Sequence, residues 1–230
     1  MPPLRLRDRM LTAVAVRSPA LRRLRRQLSP APRPVSAVFG LDRGTPVDRF
    51  FIERFLDRNR RDIRGRVLEF EEALYAPRYG SNVEHVDVLH PTENGHATVV
   101  ADLLQSETLP TGYDCVIATQ VLQYVFDVRS AVAGLHTMLA PGGVALVTLP
   151  VVSRISPGDQ AAYGEYWRFA PDGARRLFDE RFSEVETEAH GNVATACAFL
   201  QGIAAEELGG ELMSADDEAF PVLVTVRARK

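Results

Sequence analysis

Three glutamates, Glu69, Glu71 and Glu72, are the residues of this 230-residue chain whose types and spacing most directly indicate chemistry. Val67 and Leu68 before them are typical of a buried parallel strand. A carboxylate at the end of such a strand can accept or deliver a proton, or bind a cationic group. In many α/β folds the turn after this strand carries glycines, which let the backbone approach a ligand. Here Glu71 and Glu72 occupy that turn.

Two histidines and a tyrosine are the other candidates for proton transfer. His90 follows the second predicted strand, Tyr124 the fourth and His190 the sixth. Together with Glu71 they are the candidate catalytic residues, although each histidine has a structural interpretation and Tyr124 could equally pack on a helix. The five histidines lack HxxxH and HExxH spacing, and the two cysteines lie in separate apolar segments. We therefore predict neither a metal site nor a disulfide framework.

From residue 65 onward, short apolar strands alternate with helical or loop segments, which is the pattern of a doubly wound sheet. We predict an α/β fold with a Rossmann-like, seven-stranded, mostly parallel sheet and an antiparallel last strand. The predicted strands are Arg66–Phe70, Val83–Leu89, Ala97–Ala101, Asp114–Thr119, Gly143–Leu149, Phe182–Ala189 and Pro221–Ala228. The predicted helices are 46–59, Val128–Leu139, Pro171–Arg181 and Val193–Leu208, and residues 141–143 are predicted to form the turn before the fifth strand.

Polar and aromatic residues follow the fourth and fifth strands, at the edge where open α/β sheets bind ligands. The first group, which we expect to line a ligand pocket, is Thr119, Gln120, Gln123 and Tyr124. The second, which we expect to form an aromatic wall over a small substrate, is Tyr163, Tyr166, Trp167 and Arg168. Arg168 would then bind a carboxylate or phosphate. Alternatively, Gln120 caps a helix, and Trp167 and Phe169 anchor their loop to the core.

The first 45 residues are predicted to form a basic helical arm and a proline-rich linker, with one domain over 46–230. Residues 1–33 contain nine arginines and one aspartate, a net charge of +8, whereas the remainder carries 18 basic and 29 acidic groups, a net charge of −11. We expect the arm to dock on its own acidic domain, on a second copy in a homodimer or on a partner enzyme. No nucleic acid and no membrane span are predicted, and the expected location is cytoplasmic.

Eight segments of the chain, taken in order, resemble one family. They are GTPVDRFFIERFL, DIRGRVLE, VDVLHP, VVADL, YDCVIATQVLQYVFDV, LAPGGVALVTLP, YWRFAPDGARRLF and PVLVTVRA. Their order and spacing are similar to those of class I S-adenosylmethionine-dependent methyltransferases, specifically the small bacterial methyltransferase type 11 proteins associated with sugar and natural-product modification. The resemblance spans nearly the whole chain after Phe39. It implies methyl transfer to a hydroxyl or amine of a sugar or secondary metabolite, from S-adenosyl-L-methionine as cofactor to a small-molecule acceptor.

The same resemblance implies cofactor-binding roles for several residues at the strand ends. Glu69 would end the first strand beside the cofactor, Asp87 would accept hydrogen bonds from the ribose hydroxyls, and Asp102 would meet the adenine amino group. Thr119 and Gln120 would complete the cofactor site. The spacing of Asp87, about 20 residues after the first strand, agrees with that of a ribose-binding carboxylate. The alternatives are a solvated carboxylate at Asp87 and a helix cap at Asp102.

The turn after Glu69 departs from the family's pattern, because the third position of the E-x-G motif is Glu71. This degenerate glycine motif leaves three hypotheses. The first is a methyltransferase that still binds the cofactor. The second is a repurposed enzyme on the same fold, such as a cyclase or lyase, in which Glu71, Glu72 or a histidine transfers protons. The third is a non-catalytic protein that docks on another enzyme through its arm.

Overall fold

A single seven-stranded sheet organises residues 36–230, which form one compact unit of the computed structural model; the model describes residues 33–230. The strands are β1 (Gly65–Phe70), β2 (Val83–His90), β3 (Val99–Val100), β4 (Tyr113–Thr119), β5 (Leu139–Pro150), β6 (Glu184–His190) and β7 (Leu223–Arg229). They lie in the order β3-β2-β1-β4-β5-β7-β6. Only β7 runs antiparallel to its neighbours β5 and β6. The predicted mostly parallel sheet with an antiparallel last strand is confirmed. Of the predicted basic helical arm and proline-rich linker, residues 1–45, the first 32 residues lie outside the described part of the chain.

Helices connect these strands and cover both faces of the sheet. They are α1 (Val47–Arg58), α2 (Ala76–Tyr79), α3 (Val128–Met138), α4 (Pro157–Tyr163), α5 (Pro171–Asp179), α6 (Val193–Gln201), α7 (Ala205–Leu208) and α8 (Gly210–Ser214), with a 3-10 turn at Leu122–Tyr124. Asp127 caps α3 by accepting a hydrogen bond from the Ser130 backbone N–H, and Asn192 caps α6 within a capping box. Within residues 33–230, no helix is long and apolar enough to cross a membrane.

The core consists of two apolar clusters, one on each face of the sheet. On one face, Leu68 and Val116 belong to the cluster that includes residues of α3 and α5. On the other, Val67 and Ile117 belong to the cluster that includes the buried side of α1. Because successive strand residues point to opposite faces, the nearly continuous apolar composition of β1 and β4 supplies both clusters at once.

Three elements differ most from the sequence prediction, and the bounds of most others differ by one or two residues. β5 begins at Leu139, and residues 141–143 form part of a bulge within it, because Tyr113 pairs with Leu139 while Cys115 pairs with Val144. The predicted helix 193–208 is divided at Gly202, whose left-handed backbone (φ 68°) ends α6. β3 shortens to two residues that pair with β2 alone, as expected at a sheet edge.

Candidate functional site

Two adjoining cavities open at the carboxyl ends of β1 and β4, where the strand order reverses. The main cavity has a volume of about 690 Å³ and the side cavity about 200 Å³. The residues that line both are Arg49, Tyr75, Thr119, Gln120, Tyr124 and Asp159. A cavity at this position is where open α/β sheets bind their ligands, so the two cavities together form the candidate site.

Glu69 fixes the turn that forms one wall of the main cavity. Its side chain is buried at the end of β1, and its carboxylate accepts hydrogen bonds from the backbone N–H groups of Leu74, Tyr75 and Ala76, at 2.6–3.2 Å. Burial raises the pKa of Glu69, and these three N–H donors oppose that rise. The carboxylate thereby satisfies the N–H groups at the start of α2, which would otherwise lack partners.

Glu71 occupies the position of the expected glycine and adopts the left-handed backbone conformation (φ 69°) that a glycine favours. Its carboxylate oxygen Oε1 lies 3.4 Å from His90 Nε2. The same His90 nitrogen lies 3.0 Å from the hydroxyl of Tyr163 on α4. Burial, followed by the charge of Glu71, raises the pKa of Tyr163. These three side chains form a polar network at the edge of the main cavity.

The main cavity is strongly acidic. Its described lining contains five carboxylates, those of Glu69, Glu71, Glu72, Asp102 and Asp159. Arg49 of α1 is the one basic side chain in that described lining, and its guanidinium lies 5.6 Å from the centroid of the Tyr75 ring. Such a wall favours a ligand with more than one positive centre and one negative group that Arg49 can meet.

The floor of the site is formed by Tyr75 and the end of β4. Burial raises the pKa of Tyr75 to about 12, so its hydroxyl is protonated at neutral pH. Gln120, which follows β4, has a left-handed backbone (φ 56°) and donates its N–H to the carbonyl of Thr148 at 3.1 Å. Strained backbone at a strand end next to a cavity is typical of ligand-binding sites.

Two residues that line the side cavity each have one buried polar atom without a partner in residues 33–230. Gln123 is 3% exposed, and its Oε1 has no hydrogen-bond partner within residues 33–230. The same is true of Arg154 Nε, whose guanidinium lies 3.9 Å from the centroid of the Phe39 ring. Where the two cavities join, the Tyr124 hydroxyl donates to Asp159 Oδ2 at 3.1 Å. Burial, followed by the Asp159 charge, raises the pKa of Tyr124, which keeps that hydroxyl protonated.

Asp87 and Asp102 occupy different surroundings. Asp87 lies three residues before the end of β2, outside the lining of both cavities, and accepts hydrogen bonds from Tyr113 and Thr98, each at 2.9 Å, and from His85. Burial alone would raise the pKa of Asp87, but these hydrogen bonds outweigh it and lower the pKa. Asp102 lines the main cavity after β3.

The aromatic residues after β5 are divided in a similar way. Tyr163 and Tyr166 line the main cavity, and Tyr166 packs edge-to-face on Phe126. Trp167 stacks on Phe126 and donates its Nε1–H to the Val125 carbonyl at 3.1 Å. Trp167 is therefore held beside the site and is not among the residues that line either cavity.

Arg168 and His190 also lie outside the lining of both cavities. The guanidinium of Arg168 binds the carboxylate of Glu165 and the Arg154 carbonyl. His190 is buried against Phe51, with its Nε2 2.9 Å from Thr225 Oγ1. Within the described part of the chain, no group of three or more potential metal ligands comes together.

Five charged residues that line the site were missed by the sequence prediction: Asp48, Arg49, Arg154, Asp159 and Glu165. Asp159 had a detectable signal, because Ser156 and Pro157 precede it as helix N-cap and first helical residue. Arg49 carries no such signal, since its place in the site depends on how α1 packs against the sheet. Arg154 lies in the irregular segment after β5 and likewise follows from tertiary packing.

No family model matches the chain, and no curated protein matches its sequence. Solved structures do match. N-methyltransferase NodS from Bradyrhizobium japonicum WM9, in complex with S-adenosyl-L-homocysteine, gives a TM-score of 0.50 at 17% identity over 81% of this chain and 88% of that chain. An S-adenosylmethionine-dependent methyltransferase from Mesorhizobium loti gives 0.51 at 18% identity over 83% and 100%. The [4+2]-cyclase SpnF gives 0.51 at 17% identity over 82% and 84%. The chain therefore has the class I methyltransferase fold.

Proposed function

We propose that this protein transfers a methyl group from S-adenosylmethionine to a hydroxyl or amine of a small acceptor, such as a sugar or secondary metabolite. The observation that carries the proposal is the acidic main cavity at the strand-order reversal, with Arg49 as the one cation in its described lining. The cofactor has a sulfonium, an ammonium and a carboxylate. The two positive centres of the cofactor suit the five carboxylates of the cavity, and its carboxylate suits the guanidinium of Arg49.

The residues present fit the parts of this cofactor. Arg49 would hold its carboxylate in a charge-assisted pair, and the acidic wall would favour its cationic groups. Asp102 and the apolar Leu103, both in the loop after β3, line the same cavity and would receive the adenine. The protein's own contribution to catalysis is to bind both reactants side by side in the two cavities, because methyl transfer depends chiefly on proximity and alignment. When bound, the cofactor supplies the electrophilic methyl group.

Calorimetric titration with S-adenosylhomocysteine tests the proposal. We expect binding by the unchanged protein and a loss of about 10- to 100-fold in Arg49→Met, because a hydrogen bond to a charged group contributes about 1.5–3 kcal/mol. Arg58→Met is the matched control, since Arg58 lies on the same helix and pairs with Glu188 on the protein surface. No heat of binding at millimolar ligand would reject the proposal.

The polar network of Glu71, His90 and Tyr163 favours a second candidate, a repurposed enzyme that transfers protons without methylating its substrate. A carboxylate 3.4 Å from an imidazole can move a proton to or from a ligand at the cavity edge. The fold accommodates such a change, since SpnF is a cyclase. Turnover of a substrate with no consumption of S-adenosylmethionine, lost in Glu71→Gln, would favour this candidate. Stoichiometric methylation would exclude it.

We also propose that the basic arm mediates association with a second copy of the chain or with a partner enzyme. The charge difference between residues 1–33 and the remainder supports this. Light scattering of the full chain and of a variant lacking residues 1–33 tests it. We expect the full chain to form a complex that the truncated variant does not form. The same oligomeric state for both proteins, with no binding of a partner enzyme by either, would count against the proposal.

A further inference from the structure

The helix α4 forms an outer wall of the candidate site but has little packing against the rest of the protein. Its Asp159 lines both cavities, and its Tyr163 lines the main cavity. No residue of α4 is buried, whereas α3 and α5 each place several side chains in the core. A helix of seven residues has little stability of its own without such packing. The position of α4 therefore depends on a few side-chain contacts.

The two ends of α4 are joined at a fixed base. Ser156, directly before the helix, donates its backbone N–H to Glu165 Oε2 at 2.9 Å. The Glu165 side chain is 3% exposed and pairs with Arg168. Residues 157–164 thus form a compact loop whose ends are held together, as in an Ω-loop. Such a loop can move as a unit while the sheet below it stays in place.

The C-terminal end of α4 has the features of a hinge. Gly164 follows the helix with a backbone conformation (φ 79°, ψ 161°) that is essentially restricted to glycine. A Cβ at this position would overlap the hydroxyl of Tyr166. A few residues at the end of an element that absorb backbone rotation are the usual form of a hinge. We therefore expect rotation of the helix to be concentrated at Gly164 and at the base.

Two tyrosine hydroxyls hold α4 against the body of the protein. Tyr163, on the helix, has its hydroxyl 3.0 Å from His90 Nε2 at the end of β2. Tyr124, in the 3-10 turn after β4, donates to Asp159 Oδ2 on the helix at 3.1 Å. The ring centroids of the two tyrosines are 6.2 Å apart. Loss of these contacts would release the helix without disturbing its base.

We propose that α4 is a lid over the candidate site and that the hydroxyls of Tyr124 and Tyr163 are its two latches. The structure shows the closed position, in which Asp159 lies where the two cavities join. When both latches break, the helix swings outward and a ligand enters or leaves. Tyr124 and Tyr163 are positioning residues in this role. The inference goes beyond the proposed function and does not depend on it, because it concerns access to the cavities for any ligand.

Double electron–electron resonance between two spin labels measures the position of the lid directly. The labels are attached at Ala161→Cys on α4 and at Arg61→Cys in the turn before β1, at the opposite edge of the sheet; both positions are exposed. The exposed Cys197 is replaced by serine, and the buried Cys115 remains unlabelled. We expect one predominant distance when the latches are intact and a second, different distance when a latch is removed.

Tyrosine-to-phenylalanine variants remove each latch and retain the ring. The ratio of open to closed protein should rise by about 2- to 10-fold in Tyr163→Phe and by about 10-fold or more in Tyr124→Phe, whose hydroxyl binds a carboxylate. The double variant should show the largest open population. Tyr166→Phe is the matched control, because Tyr166 lies outside α4 and packs on Phe126 through its ring. Identical distance distributions in all these proteins, or an equal change in Tyr166→Phe, would overturn the proposal.

Binding kinetics test whether the lid controls access. Stopped-flow fluorescence of Trp167, the only tryptophan of the chain, follows S-adenosylhomocysteine binding, because Trp167 stacks on Phe126 in the cavity lining. If the lid must open for both entry and exit, Tyr163→Phe raises the association and dissociation rate constants by the same factor, about 2- to 10-fold. The Kd then stays within about threefold.

An increase in the dissociation rate constant alone would overturn the lid, because it would show that the Tyr163 hydroxyl binds the ligand directly. If S-adenosylhomocysteine does not bind at all, the proposed function fails separately. The spin-label distances, which need no ligand, then decide whether α4 is a lid.

Discussion

The charge that distinguishes S-adenosylmethionine from S-adenosylhomocysteine provides a sharp test of the main cavity. The first ligand has a positively charged sulfonium, whereas the second has a neutral thioether of nearly the same shape. Glu71→Gln removes one negative charge from the cavity wall and retains the side-chain length. If the acidic wall stabilises the sulfonium, this substitution should weaken S-adenosylmethionine more than S-adenosylhomocysteine.

The expected magnitude follows from the size of the cavity. A sphere of 690 Å³ has a radius of about 5.5 Å, so a central charge lies roughly 6 Å from a carboxylate in the wall. Coulomb's law gives about 0.7 kcal/mol at that separation in water and about 2.8 kcal/mol at an effective dielectric constant of 20. Because the Glu71 side chain is 58% exposed, we take the lower part of that range, about 0.7–1.4 kcal/mol. This corresponds to a selective loss of roughly three- to tenfold in affinity.

Calorimetric titration of both ligands into both proteins measures this selective loss. The difference should shrink at about 0.5 M salt, because screening weakens the interaction of partly exposed charges. Glu211→Gln is the control, since Glu211 is exposed on α8 and does not line the main cavity. Equal losses for the two ligands, or tighter binding of S-adenosylmethionine by Glu71→Gln, would refute the electrostatic argument.

Three further predictions concern stability. Glu71→Gly should change Tm by less than about 3 °C in calorimetry. Glycine relieves the strain of the left-handed backbone but adds conformational freedom to the unfolded chain, and these two effects, each about 1 kcal/mol, nearly cancel. A larger fall in Tm would show that the Glu71 side chain stabilises the turn. Gly134→Ala should lower Tm by about 4–8 °C, because the added Cβ on α3 would lie 2.5 Å from a carbonyl oxygen of the β3–β4 loop. Gly173→Ala is the control and should not lower Tm, because nothing lies within 4 Å of its added Cβ. Similar changes in Tm for the two variants would contradict this packing. Burial, then the charge of Arg54, lowers the pKa of His190 below 6.5, so the unfolded chain takes up the proton first: stability is kept above pH 6.5 and falls by up to about 1 kcal/mol between pH 6.5 and 5.5. Chemical denaturation should show a smaller fall in His190→Gln, and an equal fall would exclude His190 as the source.

The sheet could be predicted from the sequence because its signals are local. Apolar runs such as Val116–Ala118 and Val144–Leu149 can be recognised as strands within a few residues. The edge strand β3 was predicted too long, because only pairing with β2 determines its length. The helix α4, with Ser156 and Pro157 at its start, was overlooked because it buries no residue and so lacks an apolar stripe.

The candidate site could be predicted in part. Residues at or just after the end of a strand, such as Thr119 and Gln120, line the cavities because the carboxyl ends of parallel strands lie at one edge of the sheet. Arg49 and Arg154 depend on packing between distant segments, which no local spacing encodes. Asp87 illustrates the opposite difficulty, because two hydroxyls and an imidazole surround its carboxylate within the sheet, and the sequence does not reveal such partners.

The turn after β1 separates two properties that a glycine motif combines. The backbone conformation of the turn is fixed by hydrogen bonds to the buried Glu69 carboxylate, whereas the side chain that faces a ligand is that of Glu71. Substitution at position 71 can therefore change what the protein recognises while the backbone keeps its course. Sequence searches that require the glycine would miss chains of this kind. The turn could still be recognised in a structure by a buried carboxylate that accepts hydrogen bonds from three backbone N–H groups.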